Sequence, residues 1–156
     1  MKVKDHYERH LANFYTWMVG DVEKKQTEFQ SFLKSNKINP NNTKVAIDLG
    51  AGNGIQSIAL NLLGFKVTSI DFNKQLLNEL QSNQKASSIT TICKDIRQVK
   101  DFKELNPELI VCCGDTITHL ENLTEVTALI KDCSNILNQK GRLILSFRDY
   151  SKKLSE

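Results

Sequence analysis

The chain has 156 residues, of which 40% are hydrophobic and 25% charged, with a net charge of +3. That is enough for one domain around one core, with the balance of an ordinary globular protein. The charge is too small to argue for nucleic acid as a partner, and no apolar run approaches membrane-spanning length.

Residues 1–6 hold neither an apolar core nor a small-residue cleavage site, so they do not read as a secretory signal. Residues 6–18 predict a helix with Tyr7, Leu11, Phe14 and Met18 on one stripe, and with Tyr15 and Trp17 off it. Gly20 breaks that helix and Asp21 caps the next, in which Val22, Phe29, Phe32 and Leu33 recur at helical offsets. Asn39-Pro40-Asn41-Asn42 is a turn-rich hinge. It separates an N-terminal helical cap, 1–42, from an α/β core, 43–156, inside a single domain spanning 1–156.

From there the periodicity alternates. Strand one is expected at 44–48, with a helix at about 54–63 carrying Ile55, Ile58, Ala59, Leu62 and Leu63. Strand two is expected at 66–71, before a helix with Leu76, Leu77 and Leu80. Strand three is expected at 90–93, before a short helical segment at 100–105. Strand four is expected at 109–113, before a helix with Leu123, Val126, Leu129, Ile130, Cys133 and Leu137. Strand five is expected at 142–147. Near-continuous apolar strands between amphipathic helices predict a three-layer, Rossmann-like parallel sheet of at least five strands, with helices on both faces. Cys93, Cys112, Cys113 and Cys133 lack Cys-x-x-Cys spacing and a paired histidine motif. They read as core thiols of a reducing cytoplasm, and no metal is expected.

The densest signal is Val45-Ala46-Ile47-Asp48-Leu49-Gly50-Ala51-Gly52-Asn53-Gly54, a strand ending in an acid, a glycine turn and the start of a helix. Such a turn brings main-chain N–H groups and a helix N-terminus up to a ligand. It is not the dinucleotide fingerprint, whose last glycine would fall at Ile55. It is not a Walker loop, which needs Gly-Lys-Ser/Thr. Ligands of open α/β sheets sit at the carboxyl ends of the strands. There the sequence places Asp48 and Gly50, then Asp71, then Asp95 and Ile96, then Gly114 and Asp115. A carboxylate at Asp71 can accept hydrogen bonds from both hydroxyls of a ribose, which says nucleoside without saying which. His119, the only histidine of the core, follows strand four on the same rim.

Together, Asp-x-Gly-x-Gly-x-Gly and its downstream acids resemble class I S-adenosylmethionine-dependent methyltransferases over about residues 43–148. The resemblance implies S-adenosylmethionine as cofactor. It implies that Gly50, Ala51, Gly52, Asn53 and Gly54 lie against its methionine part, and that Asp71 binds its ribose. It further implies that Asp95 and Ile96 meet the adenine amino group and ring, and that Gly114 and Asp115 lie beside the methionine and the methyl group. Asp48 is then expected near the methionine ammonium, often through water. Phe72 either flanks the adenine or packs a helix on the sheet. Tyr15 and Trp17 either cover the cofactor from an N-terminal lid or pack that helix on the core. His119 is either the base for the acceptor or a residue that orders its loop.

No Asp-Pro-Pro-Tyr-like segment follows strand four and no Pro-Cys pair occurs, which disfavours known types of nucleic-acid methylation. The remainder is methyl transfer to a small-molecule acceptor in the cytoplasm. Two other readings stand beside it: a non-catalytic or truncated cofactor-binding module, and an NAD(P)-dependent oxidoreductase, which Ile55 disfavours. The family's sheet ends in strands six and seven, which do not fit in the nine residues after Phe147. Either the chain is a fragment or those strands are missing. In the second case strand five is an apolar edge, and a homodimer through that edge is expected.

Overall fold

The computed structural model describes residues 20–83 and 88–149. The expected first helix, with Tyr15 and Trp17, lies outside them. The elements are α1 (Val22–Ser35), β1 (Val45–Leu49), α2 (Ile55–Leu62), β2 (Lys66–Asp71), α3 (Lys74–Ser82) and β3 (Thr90–Cys93). A 3-10 segment (Ile96–Leu105), β4 (Leu109–Cys112), a 3-10 turn (Thr116–His119), α4 (Leu123–Ile136) and β5 (Arg142–Leu145) follow.

The strands pair in the order β3-β2-β1-β4-β5, and every pairing is parallel. The chain runs outward from β1 through β2 to β3, then returns to the other side of β1. This puts the topological switch point between β1 and β4, where α/β sheets open a crevice. Alternating side chains of each strand serve two cores. Ala46, Val67, Leu109 and Val111 face Leu33, Ile58, Leu60, Leu77 and Leu80 of α1, α2 and α3. Ile47, Leu49, Ile70, Ile110 and Cys112 face Ile96, Val99, Leu129, Cys133 and Ile136 of the 3-10 segment and α4. Helices thus cover both faces, as the apolar runs required.

Strand two and strand three fall where the periodicity put them. β1 runs one residue later than expected, and β4 and β5 stop at Cys112 and Leu145. The segment expected at 100–105 begins at Ile96, because Asp95 caps it with its side chain on Arg97 N at 2.9 Å. Asp21 caps α1 as read, accepting from Lys24 N at 2.9 Å. The stripe on α1 is narrower than expected. Leu33 is buried, whereas Phe32 is exposed and stacks on the half-buried Phe29. α1 rests on α2, with Gln30 Nε2 donating to the Ala59 carbonyl at 3.4 Å, so it meets a helix ridge instead of the sheet. Leu62, Leu123 and Ile130 likewise face solvent.

The Asn39–Asn42 hinge is pinned to the sheet. Glu108, just before β4, accepts from Asn41 N at 2.9 Å with one oxygen. Its other oxygen accepts from Asn42 N at 2.6 Å and Thr43 N at 3.1 Å. At the far side β5 pairs with β4 alone among the described residues, and Leu143, Ile144 and Leu145 are half-buried.

Candidate functional site

The glycine turn connects β1 to α2 at the switch point. Gly50 has φ +72°, and a Cβ built there would overlap the side chain of Thr116. Only glycine lets the loop after β1 meet the turn after β4 this closely. Gly54 has φ +91°, and a Cβ there would overlap Leu80 of α3. Between them Ala51 and Gly52 are buried, and Asn53 is half-buried.

Two buried aspartates stand beside this turn, on the same face of the sheet. Asp71 ends β2; one carboxylate oxygen accepts from Gly52 N at 2.8 Å and the other from Asn73 N at 2.8 Å. Burial raises its pKa, and the N–H groups of Asn73, Gly52 and Phe72 oppose that rise. Asp48 is 1% exposed and sits below the rim, on the α2 side of β1. Its Oδ2 accepts from Ser57 Oγ at 2.5 Å, and Ser57 Oγ lies 2.6 Å from Ser69 Oγ. The register sets Ser69 directly opposite Asp48. Burial pushes the Asp48 carboxyl up to about 7; the Ser57 hydroxyl lowers it and the nearby Asp71 charge raises it. Asp48 therefore stands under the loop, not open on the rim among the other acids.

Beyond β2, Phe72 is half-buried, and its carbonyl accepts from Cys93 Sγ at 3.4 Å. Asp95 and the buried Ile96 follow β3 on the same end of the sheet. Both oxygens of Asp95 are gripped by Arg97, Nε to Oδ1 at 3.0 Å and Nη2 to Oδ2 at 2.7 Å.

Past β4, Gly114 has φ +67°, and a Cβ there would meet nothing within 4 Å among the described residues. The backbone opens on the rim at that point. Asp115 turns its carboxylate toward the strand-five side, accepting from Arg148 N at 2.6 Å and lying 3.1 Å from Arg148 Nε. His119 ends the 3-10 turn, half-buried; burial lowers its pKa, and the Asp115 charge opposes that. Cys113 is buried and pushed up to about 11 by burial, which suits a core thiol. Among the described residues no His, Cys, Asp and Glu side chains cluster as a metal site, and no helix is long and apolar enough to cross a membrane.

The sequence profile described as "Methyltransferase domain" matches residues 47–145, from the middle of β1 to the end of β5. The chain belongs to the methyltransferase domain family. Its place is with the class I S-adenosylmethionine-dependent methyltransferases, which sets the nicotinamide alternative aside. This methyltransferase domain is 27% identical over 158 residues to a glycine/sarcosine N-methyltransferase of Aphanothece halophytica, covering 97% of the chain and 59% of that protein. It is 22% identical to human glycine N-methyltransferase, covering 92% of the chain and 54% of that protein. Its fold superposes on the magnesium protoporphyrin IX methyltransferase of Synechocystis PCC 6803 with bound SAM, with a TM-score of 0.72 and 22% identity. That match covers 95% of the chain and 75% of the other. The chain thus spans a little over half the length of the curated relatives described here.

Ser57, Ser69, Thr116, Arg97 and Glu125 contact the glycine turn and the strand-end acids or hold their partners, and were not singled out by sequence. Ser69 had a signal: it points to the same face as Val67 in a strand with no other reason to carry a hydroxyl there. Ser57 had a similar one, a polar residue among Ile55, Ile58 and Ala59.

Proposed function

We propose that this domain transfers the methyl group of S-adenosylmethionine to a small-molecule acceptor. The observation that carries the reading is the Asp71 carboxylate at the β2 end. It accepts one N–H on each oxygen, and a carboxylate oxygen can accept a second hydrogen bond from a ribose hydroxyl. Gly50, Ala51, Gly52, Asn53 and Gly54 would hold the methionine part, and Gly114 and Asp115 the region of the methyl group. Phe72, Asp95 and Ile96 would hold the adenine. Asp48 would act on the methionine ammonium from below, through the loop and water. Tyr15 and Trp17 would close the site as a lid.

When bound, S-adenosylmethionine supplies a sulfonium methyl group that is open to in-line attack. The residues of this chain align the acceptor and exclude water. His119 would take the proton of an acceptor that arrives protonated, since its lowered pKa keeps the imidazole neutral near pH 7. The acceptor we favour carries both an amine and a carboxylate. Two relatives are named for glycine or sarcosine, and Arg148, 81% exposed beside Asp115, offers a guanidinium to a carboxylate. A cytoplasmic location and, where no further strand covers β5, self-association along the β5 edge complete the proposal.

Calorimetric titration with S-adenosylhomocysteine, S-adenosylmethionine and NADH tests the cofactor assignment. Asp71→Asn should weaken S-adenosylhomocysteine by about 1.5–3 kcal/mol, the range for hydrogen bonds to a charged group. Binding of NADH without S-adenosylhomocysteine would overturn the reading. Methyl-donor turnover with glycine, sarcosine and other small amino acids tests the acceptor.

A further inference from the structure

Charged side chains outside the glycine turn form a strut between two regions of the rim. Asp95 is fixed at the start of the 3-10 segment, where its Oδ1 accepts from Arg97 N at 2.9 Å. The Arg97 side chain folds back on the same carboxylate, with Nε 3.0 Å from Oδ1 and Nη2 2.7 Å from Oδ2. Its remaining terminal nitrogen, Nη1, donates to Glu125 Oε1 at 2.9 Å.

Glu125 is itself immobilised by the cap of α4. Its N–H donates to Asn122 Oδ1 at 3.0 Å, and its Oε2 accepts from Glu121 N at 3.0 Å. This resembles a capping box displaced by one residue: Asn122 is the cap, and the glutamate returns to the N–H of Glu121 before it. The 3-10 segment and α4 also pack together through Ile96, Val99, Leu129 and Cys133. Arg97 is therefore held at both ends, by a capping aspartate and by a capping glutamate 28 residues away.

Ion pairs as exposed as these add little to stability, with Arg97 at 50% and Asp95 at 38% side-chain exposure. What a guanidinium fork does supply is direction. Two parallel N–H···O bonds fix the plane of the carboxylate they hold. Asp95 lies next to the buried apolar side chain of Ile96.

We propose that Arg97, anchored by Glu125, is a positioning residue that fixes the Asp95 carboxylate to accept the 6-amino group of the cofactor's purine, and so sets selectivity for 6-amino over 6-oxo purines. This rests on the reading of Asp95 and Ile96 as the adenine subsite. An ionised carboxylate accepts hydrogen bonds and cannot donate them. It pairs with an amino group and repels a 6-oxo oxygen, but only if its plane is held toward the ring edge. Released from the fork, Asp95 turns to water and the discrimination is lost.

The test is calorimetric titration of the 156-residue chain with S-adenosylhomocysteine and with S-inosylhomocysteine, its 6-oxo counterpart. The wild-type chain should prefer the 6-amino ligand by about tenfold or more, as for a hydrogen bond to a charged group. Arg97→Met should reduce that ratio to below about threefold, mostly by weakening the 6-amino ligand. Arg97→Lys, which cannot form the fork, should do the same, and Glu125→Gln should move the ratio in the same direction. A merely structural role would weaken both ligands together and leave their ratio alone. An unchanged ratio in Arg97→Met, with both ligands still bound, overturns the proposal. If Arg97→Met does not fold, an unchanged ratio in Glu125→Gln overturns it. A wild-type chain that binds both ligands equally, or neither, refutes the adenine reading itself.

Discussion

Asp48→Asn probes the most buried carboxyl side chain among the described residues. Asp48 is 1% exposed, and its carboxyl is held at about 7, against 3.8 for an unburied aspartate. A raised pKa means that the folded state binds the proton more tightly than the unfolded state does. The stability from this group is fully present below about pH 4 and is lost as the pH rises toward 7. Each pKa unit is worth about 1.4 kcal/mol, so a gap of about three units amounts to roughly 4 kcal/mol. Part of that gap is owed to the charge on Asp71 and is shared with it. Asn keeps the shape, still offers an oxygen to Ser57, and has no proton to lose. Urea unfolding followed by circular dichroism from pH 4 to pH 8, on both proteins, isolates the group, because other titrations cancel in the difference. The wild-type stability minus the variant's should fall by about 3–4 kcal/mol across that window. A difference that stays flat within about 1 kcal/mol would mean that Asp48 ionises at its unfolded value, and the buried-acid account would be refuted.

Gly50→Ala should cost about 2–4 kcal/mol in urea unfolding, from the left-handed backbone and the overlap with Thr116 together; a loss under 1 kcal/mol would contradict the close approach of the two loops. Glu108→Gln should cost about 1–3 kcal/mol in the same assay, because an amide cannot accept on both sides from Asn41, Asn42 and Thr43. His119→Gln should lower methyl transfer to a protonated amine by about 10²–10⁴-fold while S-adenosylhomocysteine affinity holds. Equal loss of both, or loss of neither, would remove His119 from the proton-transfer role.

The alternation from β1 to β5 was legible because each strand is a short apolar run bounded by turn residues, and each helix shows its own offsets. The acids at the strand ends were legible for a similar reason, since a parallel sheet puts all its carboxyl ends on one rim. Exposure was harder. Phe32, Leu62, Leu123 and Ile130 carry the right residue type, but a helix stripe does not say whether it meets a sheet or another helix. The long-range polar contacts were invisible. Arg97 reaches Glu125 across 28 residues and Asp115 reaches Arg148 across 33, and no local pattern links them. Even Asp48, found by motif, was expected on the rim; the side-chain alternation of β1 turns it toward α2 and Ser57 instead.

That orientation of Asp48 explains how two aspartates can flank one turn without repelling the fold apart. Asp71 receives the backbone N–H groups of Gly52, Asn73 and Phe72, which stabilise its charged form against the cost of burial. Asp48 receives the hydroxyl and the backbone N–H of Ser57, but burial outweighs both and favours the neutral form. The Asp71 charge is one cause of the raised Asp48 pKa, so ionising one carboxylate opposes ionising the other. Asp71 is the one that grips Gly52 N and sets the loop's inner edge. Asp48 fills the buried space between β1, β2 and α2 through Ser57 and Ser69, where an ion is costly. The Asp71 carboxylate is fixed beside the glycine turn by the same Gly52 N–H group whose position it determines.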